Sequence, residues 1–187
     1  MTITVEKITE IDDDIFDSLY ADCVDDLGAG SFPFPDGLDA AGKKTHIKNG
    51  YNNFSDILLF EKDDTPVMLM GGYIKDLAFY VYDYNNPPEN SNGPTGAEEK
   101  KSFTDLYHWK HCIVGEHDGS KNWCRTSEFY NAWKTYLLSI NAKGYVIVAE
   151  KGKPADVHFK QAQTDGIPLG TYTLNQGEFQ STMIWVY

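Results

Sequence analysis

Between two stretches patterned as strands, Leu106–Gly115 and Tyr145–Ala149, the chain places Phe129, Trp133, Tyr136, Leu137 and Ile140 at three- and four-residue spacing. That spacing puts all five on one face of a helix, which starts near Ser127 and stops at Gly144 with Lys143 just ahead of it. A strand, a helix and a strand in succession constrain a fold more than composition does. The second strand is expected to run parallel to the first through a right-handed crossover, with the helix burying its stripe on the sheet they form. The wholly apolar run Tyr145–Ala149 suits a strand covered on both faces. Trp133, Leu137 and Ile140 are accordingly expected in the core.

The rest of the chain supplies more of both periods. Thr2–Ile8 alternates, with Ile3 and Val5 inward. Ile11, Ile15, Phe16, Leu19, Cys23 and Leu27 then repeat at helical spacing behind Asp12, Asp13 and Asp14, anions that suit a helix N-terminus, and this helix ends at Gly28 or Gly30. Two prolines in the segment from Ser31 to Gly37 exclude helix there, and a second helix is expected from about Asp36 to Asn49. From Asp56 the period becomes two, with strands at Ile57–Glu61 and Val67–Tyr84 around a turn at Lys62–Pro66. Asn85–Thr104, rich in Pro, Gly, Asn and Ser, reads as a long loop insertion, and Glu116–Thr126 as a polar turn centred on Gly119. A helix at Ala155–Gln163 and a hairpin of Leu169–Leu174 and Phe179–Tyr187 complete the order. The expected architecture is one α/β domain over residues 1–187, a single mixed, mostly antiparallel sheet flanked by helices.

Charge narrows the partners. The formal net charge is −12, and residues 1–40 hold 11 of the acids and a single lysine, leaving 17 acids and 15 bases for everything after. Backbone binding to nucleic acid and docking on anionic lipid both use clustered Lys and Arg, so neither is expected. The acidic run reads either as a solvated helix face or as an attraction site for a cationic partner. Three cysteines, Cys23, Cys112 and Cys124, form no spaced framework, which favours a reducing compartment. With no basic, apolar leader at its start and no membrane-length apolar run, the chain is expected to be soluble and cytoplasmic.

His108, His111, Cys112, His117 and Cys124 lie close in sequence. Along a strand, however, His108 and Cys112 would share a face about 13 Å apart while His111 points the other way, so no metal site is expected. Apolar flanks make Cys112 a small buried hydrophobe rather than a nucleophile. The tyrosines at 73, 80, 82 and 84 suit an aromatic strand pair or a protein contact surface.

The order of elements, with Trp109–Leu138 and Pro154–Ile167 carrying most of the likeness in residues, resembles the acyl-CoA-dependent N-acetyltransferases of the GNAT superfamily. It also looks like the GNAT-like proteins of tailed bacteriophages. The resemblance implies acetyl-CoA as cofactor, held by strand amides near Cys112, Ile113 and Val114 and by a turn that offers amides to the pyrophosphate. Here that turn is Glu116–Lys121, which keeps only the central glycine of the family pattern. Gly119, Ser120 and Lys121, with Asn122 and Arg125, are the implied cofactor contacts, while Glu116 and Asp118 would repel a diphosphate.

By the same resemblance, a general base would come from His111 or Glu116, or from Glu150 at the end of the fifth strand. The family's tyrosine or serine acid falls at Ala162, four residues before Gly166-Ile167, so His158, one helical turn earlier, is the substitute. Each of these also reads as a packing or solvated residue. The implied activity is acyl transfer to an unknown amine. The alternative is a catalytically inactive structural or interaction protein on the same fold, such as a phage particle component in the virion. The implied partners are an amine-bearing small molecule or a basic protein, entering over the acidic first helix and the 85–104 loop, or an assembly partner, including further copies in a homo-oligomer.

Overall fold

The structure is a computed structural model, and it describes residues 2–26, 34–83, 99–150, 169–173 and 180–186. Its elements in chain order are β1 (Ile3–Ile8), α1 (Asp13–Asp26), α2 (Ala40–Gly50), β2 (Asp56–Lys62), β3 (Thr65–Asp83), β4 (Glu99–Val114), α3 (Ser127–Ser139), β5 (Gly144–Glu150), β6 (Leu169–Thr173) and β7 (Gln180–Val186). The strands are hydrogen-bonded in the order β1-β2-β3-β4-β5-β7-β6, with a further pairing of β3 to β6. This is one mixed sheet flanked by helices. The chain divides into two compact units, residues 1–73 with 110–124 and residues 74–109 with 125–187.

In the first unit, β1, β2 and the start of β3 form an antiparallel meander. Asp12 opens α1, its Oδ1 accepting the amides of Asp14 and Ile15 at 2.9 and 3.0 Å. Asp39 does the same for α2, accepting the Gly42 amide at 2.7 Å. The second helix therefore begins at Ala40 rather than near Asp36, because the capping carboxylate fixes the start. Phe16, Leu19 and Cys23 from α1 meet Ile47 and Tyr51 from α2 and its following turn, over Leu59, Leu69 and Ile113 of the sheet. Asp12, Asp13, Asp14, Asp17 and Asp22 are exposed, as the stripe requires. Two of them are already matched within the fold, since Lys44 approaches Asp17 at 2.7 Å and Lys48 pairs with Asp13.

In the second unit β4 and β5 are parallel, registered from Leu106–Gly144 to Trp109–Ile147, and α3 connects them as its sequence position demanded. Trp133 packs edge-on against Tyr107, Trp109 and Tyr145, so the helix stripe does bury on these two strands. β7 lies antiparallel to β5, and β6 antiparallel to β7. The helix ends earlier than the glycine suggested. Asn141 adopts the left-handed turn (φ 59), and the amides of Asn141 and Ala142 close on the carbonyls of Leu138 and Leu137 at 3.1 and 2.9 Å. Ile140 is therefore a cap residue and only half-buried.

A second correction concerns the loop expected over residues 85–104. Glu99–Thr104 belongs to β4, where Phe103 packs with Leu77 against Leu106 and Val146. Three successive charges, Glu99, Lys100 and Lys101, hid this strand from a reading by composition. Residues 84–98, and the helix expected at Ala155–Gln163, lie outside the described residues. Among the described residues no helix is long and apolar enough to cross a membrane.

Candidate functional site

The end of β4 and the turn after it carry most of the residues singled out by sequence, and all of these except Arg125 belong to the first unit. Along β4 the side chains alternate. Ile113 enters the core under α1 and α2, while Cys112 and Val114 are half-buried on the opposite face. The amides alternate too. The Ile113 amide meets the Tyr51 hydroxyl, which itself donates to the Leu69 carbonyl of β3 at 3.0 Å, and the Gly115 amide donates to the Val67 carbonyl of β3 at 2.8 Å. The amides of Cys112 and Val114 therefore point to the edge of β4 away from β3.

His111 is buried between aromatic rings, edge-on to Tyr51 at 4.4 Å and tilted to Phe54 at 6.0 Å. Its Nε2 lies 3.1 Å from the Ile47 carbonyl, in the last turn of α2. A carbonyl only accepts, so Nε2 carries the proton and the imidazole satisfies a carbonyl of the helix end. Burial pulls its pKa down to about 4, opposed by the Ile47 bond and aided by His46. At neutral pH His111 is thus an uncharged packing and capping group. Tyr51 is pushed well above the usual phenol range, chiefly by burial and then by the neighbouring Cys112 thiol.

Beyond β4 the chain makes a two-residue hairpin. His117 and Ser120 exchange amide-to-carbonyl bonds of 2.9 and 3.2 Å, with Asp118 and Gly119 both left-handed at its tip (φ 55 and 69). The His117 Nδ1 lies 3.1 Å from the Asp118 carboxylate. The Ser120 hydroxyl accepts the Asn122 amide at 3.0 Å, and the Lys121 carbonyl accepts the Cys124 amide at 3.3 Å. Trp123 is buried and donates from Nε1 to the Gly115 carbonyl at 3.0 Å. Glu116 is exposed, and its amide is held by Asp22 Oδ2 at 2.8 Å. Lys121 Nζ donates to the Asp22 carbonyl at 2.6 Å.

His111 and Glu116 therefore do different things, one inside the α2 packing and one in solvent, while His158 and Ala162 lie outside the described residues. Arg125 is half-buried and Asn122 exposed. In the second unit, Thr126 caps α3 through its hydroxyl, which accepts the Phe129 amide at 3.3 Å. Cys23, Cys112 and Cys124 form no disulfide, and among the described residues no three His, Cys, Asp or Glu side chains gather as a metal site. Reading by spacing missed Asp22, Tyr51 and Trp123. Asp22 was one acid among many in a charged run, and nothing local links it to a turn 94 residues away.

No protein-family model and no curated protein matches the sequence. Solved structures do match in fold. A GNAT-family acetyltransferase from Streptococcus agalactiae superposes with a TM-score of 0.53 at 8 % identity, covering 98 % of this chain and 95 % of that one. A protein from Pyrococcus horikoshii OT3 gives 0.52 at 11 % identity over 99 % and 98 %. At such identities the likeness is one of fold, and the fold is of the GNAT type.

The resemblance read in the sequence implies an acyl-CoA, and the residues present test that expectation. The outward Cys112 and Val114 amides suit the amide-bearing arm of such a molecule. The turn does not suit its diphosphate. The amides of Gly115, Glu116, His117, Ser120, Asn122 and Cys124 all have partners within the protein. The acids Asp22, Glu116 and Asp118 stand beside them.

Proposed function

We propose that this protein uses a GNAT-type fold as an interaction module, and that it does not transfer acyl groups from CoA. The observation that carries this reading is the turn after β4, where the amides of Glu116, His117, Ser120, Asn122 and Cys124 already have partners within the protein and Asp22 tethers the turn to α1. The burial of His111 supports the same reading, since an imidazole whose pKa is pulled down to about 4 by burial is a poor base for an incoming amine. The partner that the net charge of −12 favours is a cationic one, a basic protein or the basic face of an assembly neighbour.

The test is calorimetric titration with acetyl-CoA, followed by an assay for acetylation of simple amines and basic peptides. No saturable binding at millimolar ligand and no product are expected. Micromolar affinity that is abolished by Gly119→Glu would establish the second reading, acyl-CoA-dependent N-acyl transfer. The fold and the outward amides of Cys112 and Val114 favour that second reading.

A further inference from the structure

One edge of the sheet is open. β1 stands at the end of the strand order, and among the described residues its one sheet neighbour is β2, in continuous antiparallel register from Ile3–Lys62 to Ile8–Ile57. The Asp63 amide donates to the Thr2 carbonyl at 2.9 Å, one step before that register, so Thr2 and Asp63 form a hydrogen-bonded pair. Alternation then turns the main-chain groups of Thr4, Glu6 and Ile8 towards β2, and those of Ile3, Val5 and Lys7 towards the outer edge. The devices that usually guard such an edge do not act here. β1 holds no proline and no bulge, and its lysine is drawn back onto β2, where Lys7 Nζ pairs with Asp56.

We propose that the outer edge of β1 pairs antiparallel with the same edge of a second copy of this chain, about a two-fold axis at Val5, so that the sheet continues from one protomer into its partner. Residues with outward main-chain groups must face one another, which limits the register. With the axis at Val5, Val5 meets its own counterpart and Ile3 meets Lys7 on either side, so all three outward residues exchange main-chain bonds. Between these pairs Thr4 lies opposite Glu6, both exposed, at the close spacing of a non-hydrogen-bonded pair, where a hydroxyl can donate to a carboxylate. Sliding one step towards Lys7 sets Glu6 against Glu6 of the second copy, and sliding one step towards Ile3 leaves Lys7 beyond the end of β1. One register is therefore favoured. The charge of −12 on each copy opposes the approach at long range, and a single short strand makes a small interface. A dissociation constant of tens of micromolar is expected, tightening as salt screens the repulsion. The surface involves none of the residues of the turn after β4, and its pairing does not depend on the function proposed above.

Sedimentation velocity of the full-length protein from about 5 to about 300 µM, at about 50 and about 300 mM NaCl, reads the association, with hydrogen exchange at the Val5 and Lys7 amides as the local readout. A concentration-dependent dimer is expected, tighter at the higher salt, with exchange at both amides slowed in it. Val5→Pro removes the central outward amide and leaves the bonds to β2 in place, so it should weaken the dimer at least about tenfold. Thr4→Glu sets two like-charge pairs across the axis and Thr4→Lys two opposite-charge pairs. The first should weaken and the second tighten dimerisation by about threefold or more, while the same changes at the exposed Thr135 of α3 should move it by less than about twofold. Thr4 is on the surface, so its variants carry the test if Val5→Pro fails to fold. A protein that stays monomeric at about 300 µM overturns the proposal, as does a dimer that folded Val5→Pro leaves unchanged. So does a dimer that weakens with added salt, or one that the Thr4 variants shift no differently from the Thr135 variants.

Discussion

Replacing His111 with glutamine removes a buried titratable group and keeps a donor for the Ile47 carbonyl. In the native protein burial holds this imidazole at a pKa of about 4, against its ordinary 6.5. Between those values the unfolded chain takes up a proton that the native state refuses, so the unfolded state binds more protons and stability rises with pH. The contribution is complete above about pH 6.5 and is lost as the pH falls through about 4. Moving from about pH 7 to about pH 4.5 should therefore cost the wild type about 2.5 kcal/mol through this one group.

Glutamine does not titrate, but it gives up the ring contacts with Tyr51 and Phe54, at a cost of about 1–2 kcal/mol at neutral pH. Urea unfolding at about pH 7 and about pH 4.5 should then show the wild-type advantage shrinking by about 2.5 kcal/mol and changing sign, with unchanged m-values. The carboxyls of Asp13 and Asp63, held low mainly by Lys48 and by the Thr2 amide respectively, are common to both proteins and cancel in the comparison. Wild-type and variant stabilities that run parallel to within about 0.5 kcal/mol would show that the imidazole is not buried as a neutral cap.

Gly71→Ala would put a methyl 2.5 Å from the Phe54 ring, so a loss of about 1–3 kcal/mol is expected in urea unfolding, most of it recovered in the Gly71→Ala, Phe54→Ala double variant. Trp123→Phe removes the indole donor to the Gly115 carbonyl and should cost about 1–3 kcal/mol, with the Gly115 and Glu116 amide resonances moving most. Trp133→Ala, at a fully buried site among four aromatic rings, should cost about 3–5 kcal/mol in the same assay. Lys44→Ala breaks a surface pair with Asp17 and should change stability by no more than about 1 kcal/mol, an effect reduced further by added salt.

What could be read along the chain was whatever repeats within a few residues. The stripe from Phe129 to Leu137 identified α3, and its place between two apolar strands fixed β4 and β5 as parallel neighbours, because a crossover of that kind has few other solutions. Asp12 and its neighbours located the start of α1 through local capping chemistry. Local signals also gave the polar turn around Gly119 and the terminal hairpin. The extension of β4 back to Glu99 was hidden, because the successive charges of Glu99, Lys100 and Lys101 have the composition of a loop.

The state of the candidate site was decided by the tertiary structure alone. His111 became a helix cap because folding sets it beside Ile47, 64 positions earlier, and excludes water from the ring. Asp22 became the tether of the turn because Gly115 lets α1 approach the end of β4. Both contacts join residues far apart in sequence, and both depend on hydrogen-bond partners that exist only once the helices have packed. Residue type and spacing named the groups able to do chemistry, but the partner each one met on folding determined whether it remained available for it.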